Sequence, residues 1–476
     1  MTETMKYIST RGQAPALGFT DVLLAGLASD GGLYVPETWP QLIRAELTAL
    51  RGSSYAEVAF AIIKPFTGGE IEDAQLRRMI DEVYATFAHK AVVPLKQLDA
   101  NHWLMELFHG PTLAFKDVAM QLLARLMDHV LQKRAGRATI IGATSGDTGG
   151  AAIEAFRGTS NVDVFILFPD GRVSDVQRRM MTTPSESNVH AIAVRGTFDD
   201  CQALVKGMFN HHAFRDRVQL SGVNSINWAR IVAQITYYFV AAAALGSPHR
   251  RVSFSVPTGN FGDIFAGYGA KRMGLPIDRL VIASNENDIL PRTLESATYE
   301  TRGVVATTSP SMDIQVSSNF ERYLYEASNR ESSGVRRQMD SLKQAGRFEL
   351  EGQVASAMRV DFAAASAGED DVARTVRKVL EDAQYLVEPH TACGVHALKY
   401  CLNDSDQTVP QVVLATAHPA KFPDAMEAIT GRRPKLPERL KSLMSDKERF
   451  PVLDNDQAVI ETYIENNARA GTDNHA

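Results

Sequence analysis

From about residue 96 to about residue 430, the chain repeats one local pattern: a short β-forming run, a turn and a helical stretch. ATIIGA leads into TSGDTGGAAIEAF, VDVFILF leads into PDGRVSDVQRRMM, and RVSFSV leads into PTGNFGDIFAGYGAKRM. Parallel strands need such crossover connections, so the pattern predicts parallel sheets that are covered by helices. We predict one α/β lobe over residues 137–220 and another over 250–430, with a long helix from about 226 to 245 between them.

The rest of the chain suggests the domain boundaries. SYAEVAFAIIKPF and EDAQLRRMIDEVYATF carry helical spacing, which predicts an N-terminal α-rich domain over residues 1–95. Residues 96–455 are expected to form the second domain, in which the smaller lobe at 137–220 is the part expected to move. Residues 456–476 are polar, and we expect them to form a C-terminal tail.

Composition and charge argue against several classes of protein. A net charge of −6 offers no basic surface for nucleic acid or an anionic membrane. Cys201, Cys393 and Cys401 show no CxxC spacing and favour a reducing compartment over a disulfide framework or a metal site. The start, MTETMKYISTRG, lacks the apolar core of a signal peptide, and Gln234 and Thr236 interrupt the most apolar run. We therefore expect a cytoplasmic protein that binds no metal.

The segment LFHGPTLAFKDV places Lys116 where a helix is predicted to begin. Apolar residues follow at positions 115, 118, 119, 122, 123, 126, 127 and 130, which is the spacing of one helix face. The positive end of the helix dipole and partial burial beside Phe115 both disfavour an ammonium group there, so the lysine pKa should fall below about 10.4. An uncharged lysine can form a Schiff base with an aldehyde. Taken alone, a lysine at a helix start is more often a solvated side chain.

The turn PTGNFGD, at residues 257–263, follows a β-rich run and precedes a helical one. Gly259 and Gly262 let the backbone turn sharply and expose its amides, and a helix N-terminus adds unpaired donors. The loop is neither a nucleotide-triphosphate loop nor GxGxxG, and its span suits one phosphate monoester. The alternative is an ordinary strand-to-helix turn.

A second turn of this kind, GATSGDTGG, occupies residues 142–150. Thr144, Ser145 and Thr148 add hydroxyl groups to its amides, which suits a substrate carboxylate or phosphate. Asp147 is unusual in an anion site unless it orients amides or meets a donor. The alternative is a cluster of helix-capping residues.

A site for pyridoxal phosphate requires an aldehyde-binding lysine, a phosphate anchor and a partner for the pyridine nitrogen. The features above supply the first two. EPHTACG offers Thr391 as that partner. A hydroxyl partner would leave the pyridine less fully protonated than an aspartate would. Taken alone, Thr391 is more easily explained as part of a turn.

The same stretches resemble the threonine synthase family, of the longer bacterial and fungal type. The likeness runs nearly end to end through MKYISTRG, GLASDGGLYVPE, LFHGPTLAFKD, GATSGDTGGAA, NSINWARI, PTGNFGD, SMDIQVSSNFER, EPHTACGVHAL and AHPAKFPD. It implies the tryptophan-synthase-β-like fold of pyridoxal-phosphate enzymes, known as fold type II, with an added N-terminal domain. It also implies conversion of O-phospho-L-homoserine and water to L-threonine and phosphate by γ-elimination and β-hydration, the final step of threonine biosynthesis.

The resemblance also implies the roles of individual residues. Lys116 forms the Schiff base and is the catalytic residue, the amides of residues 259–262 hold the cofactor phosphate, and Thr391 faces the pyridine nitrogen. Residues 144–148 lie beside the substrate carboxylate and the cofactor ring. The predicted cofactor-binding residues are Lys116, Phe115, Gly259, Asn260, Phe261, Gly262, Asp263, Thr391 and Asp147, and the predicted substrate-binding residues are Thr144, Ser145, Gly146, Thr148, Asn224 and Arg230.

Two of these assignments leave alternatives open. Asn224 and Arg230, in NSINWARI, are placed to converge on a substrate phosphate, which arginine matches with two parallel donors. The alternative for Arg230 is a surface ion pair at a helix start. Shorter relatives carry Asn where this chain has Asp147, near the 3-oxygen of the cofactor, so the sequence leaves the protonation state of Asp147 open.

Two other functions are compatible with parts of this pattern. Another fold type II pyridoxal-phosphate lyase, such as a serine or threonine dehydratase or a phospho-lyase, would keep Lys116 and PTGNFGD without needing a second phosphate site. A non-enzymatic phosphate-binding α/β protein would form no Schiff base. We expect a small-molecule substrate, no nucleic-acid or membrane partner, and a monomer or homodimer.

Overall fold

The computed structural model describes residues 5–222, 225–402 and 408–470, and its first elements form an α-rich unit. Ser54 caps one of these helices, since its side chain accepts a hydrogen bond from the Glu57 amide. The helix over 73–84 buries apolar residues at three- and four-residue spacing. The elements are β1 (Tyr7–Ser9), α1 (Phe19–Ala25), β2 (Tyr34–Pro36), α2 (Arg44–Ala49), α3 (Tyr55–Ile63) and α4 (Asp73–Tyr84). Of these helices, α3 packs on the helix over 228–244 and α4 on the helix over 116–133.

The predicted alternation of strand and helix follows. Every residue of the strand over 162–169 is buried, as expected of a parallel strand covered on both faces. The elements are β3 (Leu95–Gln97), β4 (His102–Glu106), α5 (Lys116–Lys133), β5 (Ala138–Ala143), α6 (Asp147–Phe156), β6 (Val162–Pro169), α7 (Asp175–Thr182), β7 (Val189–Arg195), α8 (Phe198–Asn210), α9 (His212–Arg217), β8 (Leu220–Gly222) and α10 (Trp228–Ala244).

The alternation continues to the end of the described chain. Its elements are β9 (Val252–Pro257), α11 (Gly262–Arg272), β10 (Ile277–Ser284), α12 (Ile289–Ser296), β11 (Thr298–Glu300), α13 (Phe320–Ala327), α14 (Ser332–Ala345), β12 (Arg347–Glu349), α15 (Gly352–Asp361), β13 (Phe362–Ser366), α16 (Glu369–Ala383), α17 (Pro389–Leu402), β14 (Gln411–Ala415), α18 (Pro423–Thr430), β15 (Val452–Asp454) and α19 (Gln457–Asn467). Short 3-10 helices cover Lys64–Thr67, Pro310–Met312, Pro419–Lys421 and Glu438–Leu440.

The larger sheet has the strand order β13-β10-β9-β14-β4-β3 and is parallel except for β3, which pairs antiparallel with β4. Helix α17 packs over β9, β10, β13 and β14. Because parallel strands end at the same edge of a sheet, the segments that follow β4, β9 and β14 meet there, and ligands bind at such edges in α/β folds.

The smaller sheet has the order β15-β7-β6-β5-β8, and all its strand pairs are parallel. The two sheets and the N-terminal α-rich unit confirm the predicted fold class. Helix α10, which covers the apolar run, lies close to the predicted range of 226–245, and Gln234 and Thr236 are buried within it. In the ranges that the structure describes, no helix is both long enough and apolar enough to cross a membrane.

The end of the chain differs from the polar tail that we expected at 456–476. Strand β15 pairs with β7, and α19 buries Ile460 and Ile464 in a cluster with Phe165 and Ile192 of the smaller sheet. The two buried residues are separated by polar ones, so the helical pattern is weak in the sequence. Residues 452–467 are therefore part of the smaller lobe.

Truncation of Ile464 should loosen the smaller lobe. Ile464 is fully buried, and its replacement by alanine should lower the free energy of opening this lobe by about 2–5 kcal/mol because it leaves a cavity. Amide hydrogen exchange in β7 and α8, followed by mass spectrometry, should become faster. Val459→Ala is the matched control, since Val459 lies on the same helix with 43% of its surface exposed. Equal exchange in both variants would contradict a structural role for α19.

Candidate active site

Lys116 is the first residue of α5, in the first turn as predicted, and it is buried. Its Nζ donates to Ser311 Oγ at 3.2 Å and lies 5.1 Å from the centre of the Phe115 ring. Burial is the main cause that lowers the pKa of Lys116 below its usual value. The positive charges of Lys421 and Arg230 lower that pKa further, whereas the negative charges around the lysine oppose the shift.

Local contacts determine where the segment before Lys116 lies. The carboxylate of Asp117 accepts hydrogen bonds from the amide and the hydroxyl of Thr112, both at 2.7 Å. A Cβ atom on Gly110 would lie 2.4 Å from the Asp117 Cβ, so only glycine allows this approach. The Phe115 amide donates to the carbonyl of Thr416, just after β14, at 2.8 Å. The loop from β4 is thus held against the end of the neighbouring strand.

Asp147, at the start of α6, is buried between two lysines. Lys421 Nζ is 2.7 Å from its carboxylate, Lys116 Nζ is 3.7 Å away, and Gln177 Nε2 donates to it at 2.9 Å. Burial alone would raise the pKa of Asp147, but the charge of Lys421, followed by that of Lys116, moves this pKa below its usual range. The carboxylate is therefore ionised, and its closest charged partner is Lys421.

The hydroxyl side chains of the loop at 144–148 fall into two groups. Thr144 is buried, and its hydroxyl oxygen accepts from the amides of Gly146 and Gly149, both at 2.9 Å. This hydroxyl therefore stabilises the loop itself. Ser145 and Thr148 are half-buried.

The loop at 257–263 presents unpaired backbone amides. Its carbonyl groups are paired: Ser317 Oγ donates to the Gly259 carbonyl at 2.6 Å, and Asn319 donates twice to the Asn260 carbonyl, at 3.0 Å each. Within the described ranges, the amides of residues 259–262 donate to no protein acceptor. Phe261 takes a left-handed backbone conformation, with φ of 62°, and its buried ring anchors the loop. Free amides at the start of α11 form an anion cradle.

Arg230, on α10, is buried, and no acidic side chain in the described ranges pairs with it. Its Nε and Nη1 atoms have no hydrogen-bond acceptor among the residues that the structure describes. Burial lowers the pKa of Arg230 to about 10. A buried and unpaired guanidinium is costly, so the site is suited to an anionic ligand. Asn224, its predicted companion, lies outside the described residues.

The remaining predicted residues are also buried in this region. Asp263, in the first turn of α11, accepts a hydrogen bond from the Ile264 amide at 2.9 Å, and burial raises the pKa of its carboxyl to about 7. Thr391 donates its hydroxyl proton to Glu388, at 2.6 Å. Because that proton is committed, a ligand atom opposite Thr391 Oγ1 must itself donate.

Four further residues join this site without having been predicted from the sequence: Ser311, Lys421, Glu388 and His390. Glu388 is completely buried and accepts from His390 Nδ1 at 2.7 Å, and His390 Nε2 accepts from the Ser311 amide at 3.1 Å. These contacts connect α17 to the residue that holds Lys116. All four lie in motifs that carry the family resemblance. For Lys421 and Glu388, the sequence signal that could have identified them was a charged residue inside an otherwise apolar run.

The geometry fits the expected cofactor. A buried lysine of lowered pKa suits an aldehyde, and the free amides at 259–262 suit its phosphate. The unpaired Arg230 offers a further charge for a phosphate group. No group of acidic, histidine and cysteine side chains suited to a metal ion occurs in the described part of the chain.

Models of known protein families match three stretches of the chain. Residues 6–84 match the threonine synthase N terminus, residues 86–416 match the pyridoxal-phosphate dependent enzymes, and residues 391–464 match the threonine synthase C-terminal region. A threonine synthase of Pseudomonas aeruginosa is 51% identical over 98% of this chain and 99% of its own.

Solved structures agree over nearly the whole length. The crystal structure of a threonine synthase from Brucella melitensis with bound PLP has a TM-score of 0.96 and 61% identity, and it covers 98% of this chain and 100% of its own. Threonine synthase from yeast has a TM-score of 0.93 and 40% identity, with 98% and 99% covered.

Two glycines of the same loop should respond differently to alanine. A Cβ on Gly259 would lie 2.8 Å from the backbone oxygen of Ser311, whereas the nearest atom to a Cβ on Gly262 is at 3.5 Å. Gly259→Ala must displace the cradle and should weaken pyridoxal phosphate binding by about 10–100-fold, while Gly262→Ala should have little effect. Equilibrium dialysis of the cofactor-free chain measures both affinities. An unchanged affinity in Gly259→Ala would mean that the loop does not hold the phosphate.

Proposed function

The chain belongs to the threonine synthase family of pyridoxal-phosphate-dependent enzymes, and on this premise we propose that its substrate is O-phospho-L-homoserine. The products would be L-threonine and phosphate, with water as the second reactant. The observation that supports this substrate is the buried Arg230, which has no acidic partner among the residues that the structure describes and is available to a second phosphate besides that of the cofactor.

We assign Lys116 two tasks, holding the cofactor aldehyde covalently and moving protons at the substrate carbon atoms. Pyridoxal phosphate, when bound, delocalises the electron pair left on carbon when a proton is removed beside the substrate nitrogen. Lys116 Nζ is buried and has a lowered pKa, so it is suited to accept the α-proton and return it later. Ser311, at 3.2 Å, orients the amine through its hydroxyl oxygen.

Arg230 is assigned to the leaving phosphate. Its guanidinium presents parallel donors, which match two phosphate oxygens and stabilise the charge that builds as the bond to the γ-carbon breaks. Ser145 and Thr148, together with Asn224, complete the proposed substrate set. Ser174, just before α7, donates to the Lys421 carbonyl at 3.2 Å. This contact closes the site beside Lys421 and limits the access of water.

The other assignments remain proposals on the same premise. The amides of residues 259–262 would bind the cofactor phosphate, Thr391 would lie at the pyridine nitrogen, and Asp147 would lie near the 3-oxygen. We also propose a cytoplasmic enzyme that acts as a monomer or homodimer. Its domains would divide near residue 95, with a smaller lobe that moves during turnover.

A dehydratase of the same fold is the second candidate. Its substrate carries a carboxylate but no phosphate, so it would supply no second phosphate for the buried Arg230. Analysis of the products separates the two, since the proposed reaction releases threonine and phosphate, whereas a dehydratase releases a 2-oxo acid. A 2-oxo acid as the main product would contradict the proposed substrate.

Replacement of Lys116 by alanine should abolish the visible absorbance of bound cofactor and the formation of threonine. The reason is that no other amine would occupy the aldehyde position. The matched control is Lys133→Ala, since Lys133 is an exposed lysine on the same helix. An absorbance spectrum of the purified variants measures the result, and a retained visible band in Lys116→Ala would contradict the assignment.

Arg230→Met should impair turnover without harming the fold. We expect kcat/KM for O-phospho-L-homoserine to fall by about 10²-fold or more, while the affinity for pyridoxal phosphate stays within about threefold. The melting temperature of the ligand-free variant should stay equal or rise, because the variant removes two buried donors that no described acceptor satisfies. Parallel losses of cofactor affinity and turnover would place Arg230 at the cofactor phosphate instead.

A further inference from the structure

Lys421 is an almost completely buried lysine in the motif AHPAKFPD, and no role was predicted for it from the sequence. It ends the 3-10 helix Pro419–Lys421, which follows β14 in the larger lobe. Its Nζ donates to the Thr112 carbonyl at 2.8 Å and contacts the Asp147 carboxylate at 2.7 Å. Thr112 belongs to the segment that leads to Lys116, and Asp147 begins α6 of the smaller lobe. Lys421 therefore joins three segments that meet at the site.

Two lysines lie at different oxygens of the Asp147 carboxylate, Lys421 Nζ at Oδ1 and Lys116 Nζ at Oδ2. Lys421 Nζ is 1.0 Å closer to it than Lys116 Nζ, the difference between 2.7 and 3.7 Å. Lys116 makes its hydrogen bond with the uncharged Ser311 hydroxyl instead, at 3.2 Å. That hydroxyl in turn donates to Asp147 Oδ2 at 3.4 Å, so Lys421 is the closer charged partner of the carboxylate, and Lys116 has no carboxylate hydrogen-bond partner among the described residues.

We propose that Lys421 is a positioning residue that occupies the Asp147 carboxylate, so that Lys116 remains an uncharged amine able to bond to the cofactor and to accept protons. This inference rests on the proposed function of Lys116 and adds a residue to it. Without Lys421, the ionised Asp147 would face Lys116 alone at 3.7 Å and would hold a proton on its amine.

The other charged groups around Lys116 do not replace Lys421. Lys116 has two negative charges near it on separate helices and two positive ones, and Lys421 both opposes the protonation of Lys116 directly and neutralises the nearer carboxylate. The groups that face Lys116 are Asp147 on α6, Lys421 after β14, Arg230 on α10 and Asp263 on α11, with Asp117 on its own helix and, behind Ser311, Glu388 just before α17 and His390 on α17.

The direction of the pH effect follows from this arrangement. The pKa of Lys116 is lowered in the intact site, so a large part of the amine is uncharged at a lower pH than for an exposed lysine. Loss of the Lys421 charge removes one cause of lowering and leaves Asp147 unopposed, so the pKa of Lys116 must rise. At a fixed pH near 8, the uncharged fraction then falls, and every reaction of that amine shifts to higher pH.

The test measures Lys116 directly in the full chain after removal of the cofactor. Trace labelling with acetic anhydride between pH 6 and pH 11, read by mass spectrometry of the peptide that contains Lys116, gives the pKa of its amine. Lys421→Met should move the labelling midpoint up by about one pH unit or more, which is a tenfold loss of uncharged amine. Lys421→Arg keeps the charge and should stay near the parent chain.

Two further variants separate the charge effect from a packing effect. Asp147→Asn leaves Lys421 charged and should move the midpoint down. The double variant Asp147→Asn with Lys421→Met removes both charges and should return the midpoint toward that of the parent chain. If Lys421→Met does not fold, the Asp147→Asn arm alone decides, because an unchanged or raised midpoint would overturn the proposal. A midpoint in Lys421→Met that is unchanged, or that the double variant does not reverse, would overturn it as well.

A second readout uses the cofactor without any substrate. The rate at which the cofactor-free chain recovers visible absorbance with pyridoxal phosphate should show the same displacement to higher pH in Lys421→Met, with rescue by Lys421→Arg. Neither measurement depends on O-phospho-L-homoserine. If the parent chain binds the cofactor but forms no threonine, the proposed substrate fails, whereas the labelling result still decides the role of Lys421.

Discussion

The ion pair between Asp147 and Lys421 is the interaction on which the arrangement of the site depends. It joins α6 of the smaller lobe to the segment after β14, and both partners are almost fully buried. A buried ion pair rarely adds much stability, because desolvation offsets the attraction. Here its main effect is on the site, because it neutralises the carboxylate nearest to Lys116. Among the described residues, Lys116 and Arg230 have no carboxylate hydrogen-bond partner, and the positive charge of Arg230 suits ligands that carry phosphate.

In the loop at 257–263, too, some polar groups are paired within the protein and others are left for a ligand. The side chains of Ser317 and Asn319 satisfy the carbonyl groups of Gly259 and Asn260, whereas the amides of the loop are left for a ligand. The paired carbonyl groups hold the loop in place before an anion binds, which lowers the entropy cost of binding. Arg230 follows the same logic with a side chain, since its unpaired donors lower stability until an anion satisfies them.

Local sequence patterns predicted those parts of the molecule that local chemistry decides. The strand–turn–helix repetition predicted both sheets, and helical spacing placed Lys116 in the first turn of α5. The glycines of PTGNFGD predicted exposed amides after β9. Contacts between distant segments were not predictable in this way. Ser311 meets Lys116 across 195 residues, and Lys421 meets Asp147 only because two lobes close on each other. Helix α19 was missed for the related reason that only two of its residues, Ile460 and Ile464, are fully buried.

The Asp147–Lys421 ion pair connects the two lobes. Asp147 begins α6 of the smaller lobe and Lys421 follows β14 of the larger one, so their charges meet only because α6 lies against the segment after β14. Ser174 reinforces that contact by donating to the Lys421 carbonyl. The smaller lobe is proposed to move during turnover, and such a movement would take Asp147 away from Lys421 and give Lys421 access to water, where an ammonium is favoured. On that proposal, the exclusion of water and the state of the Lys116 amine depend on the same contact.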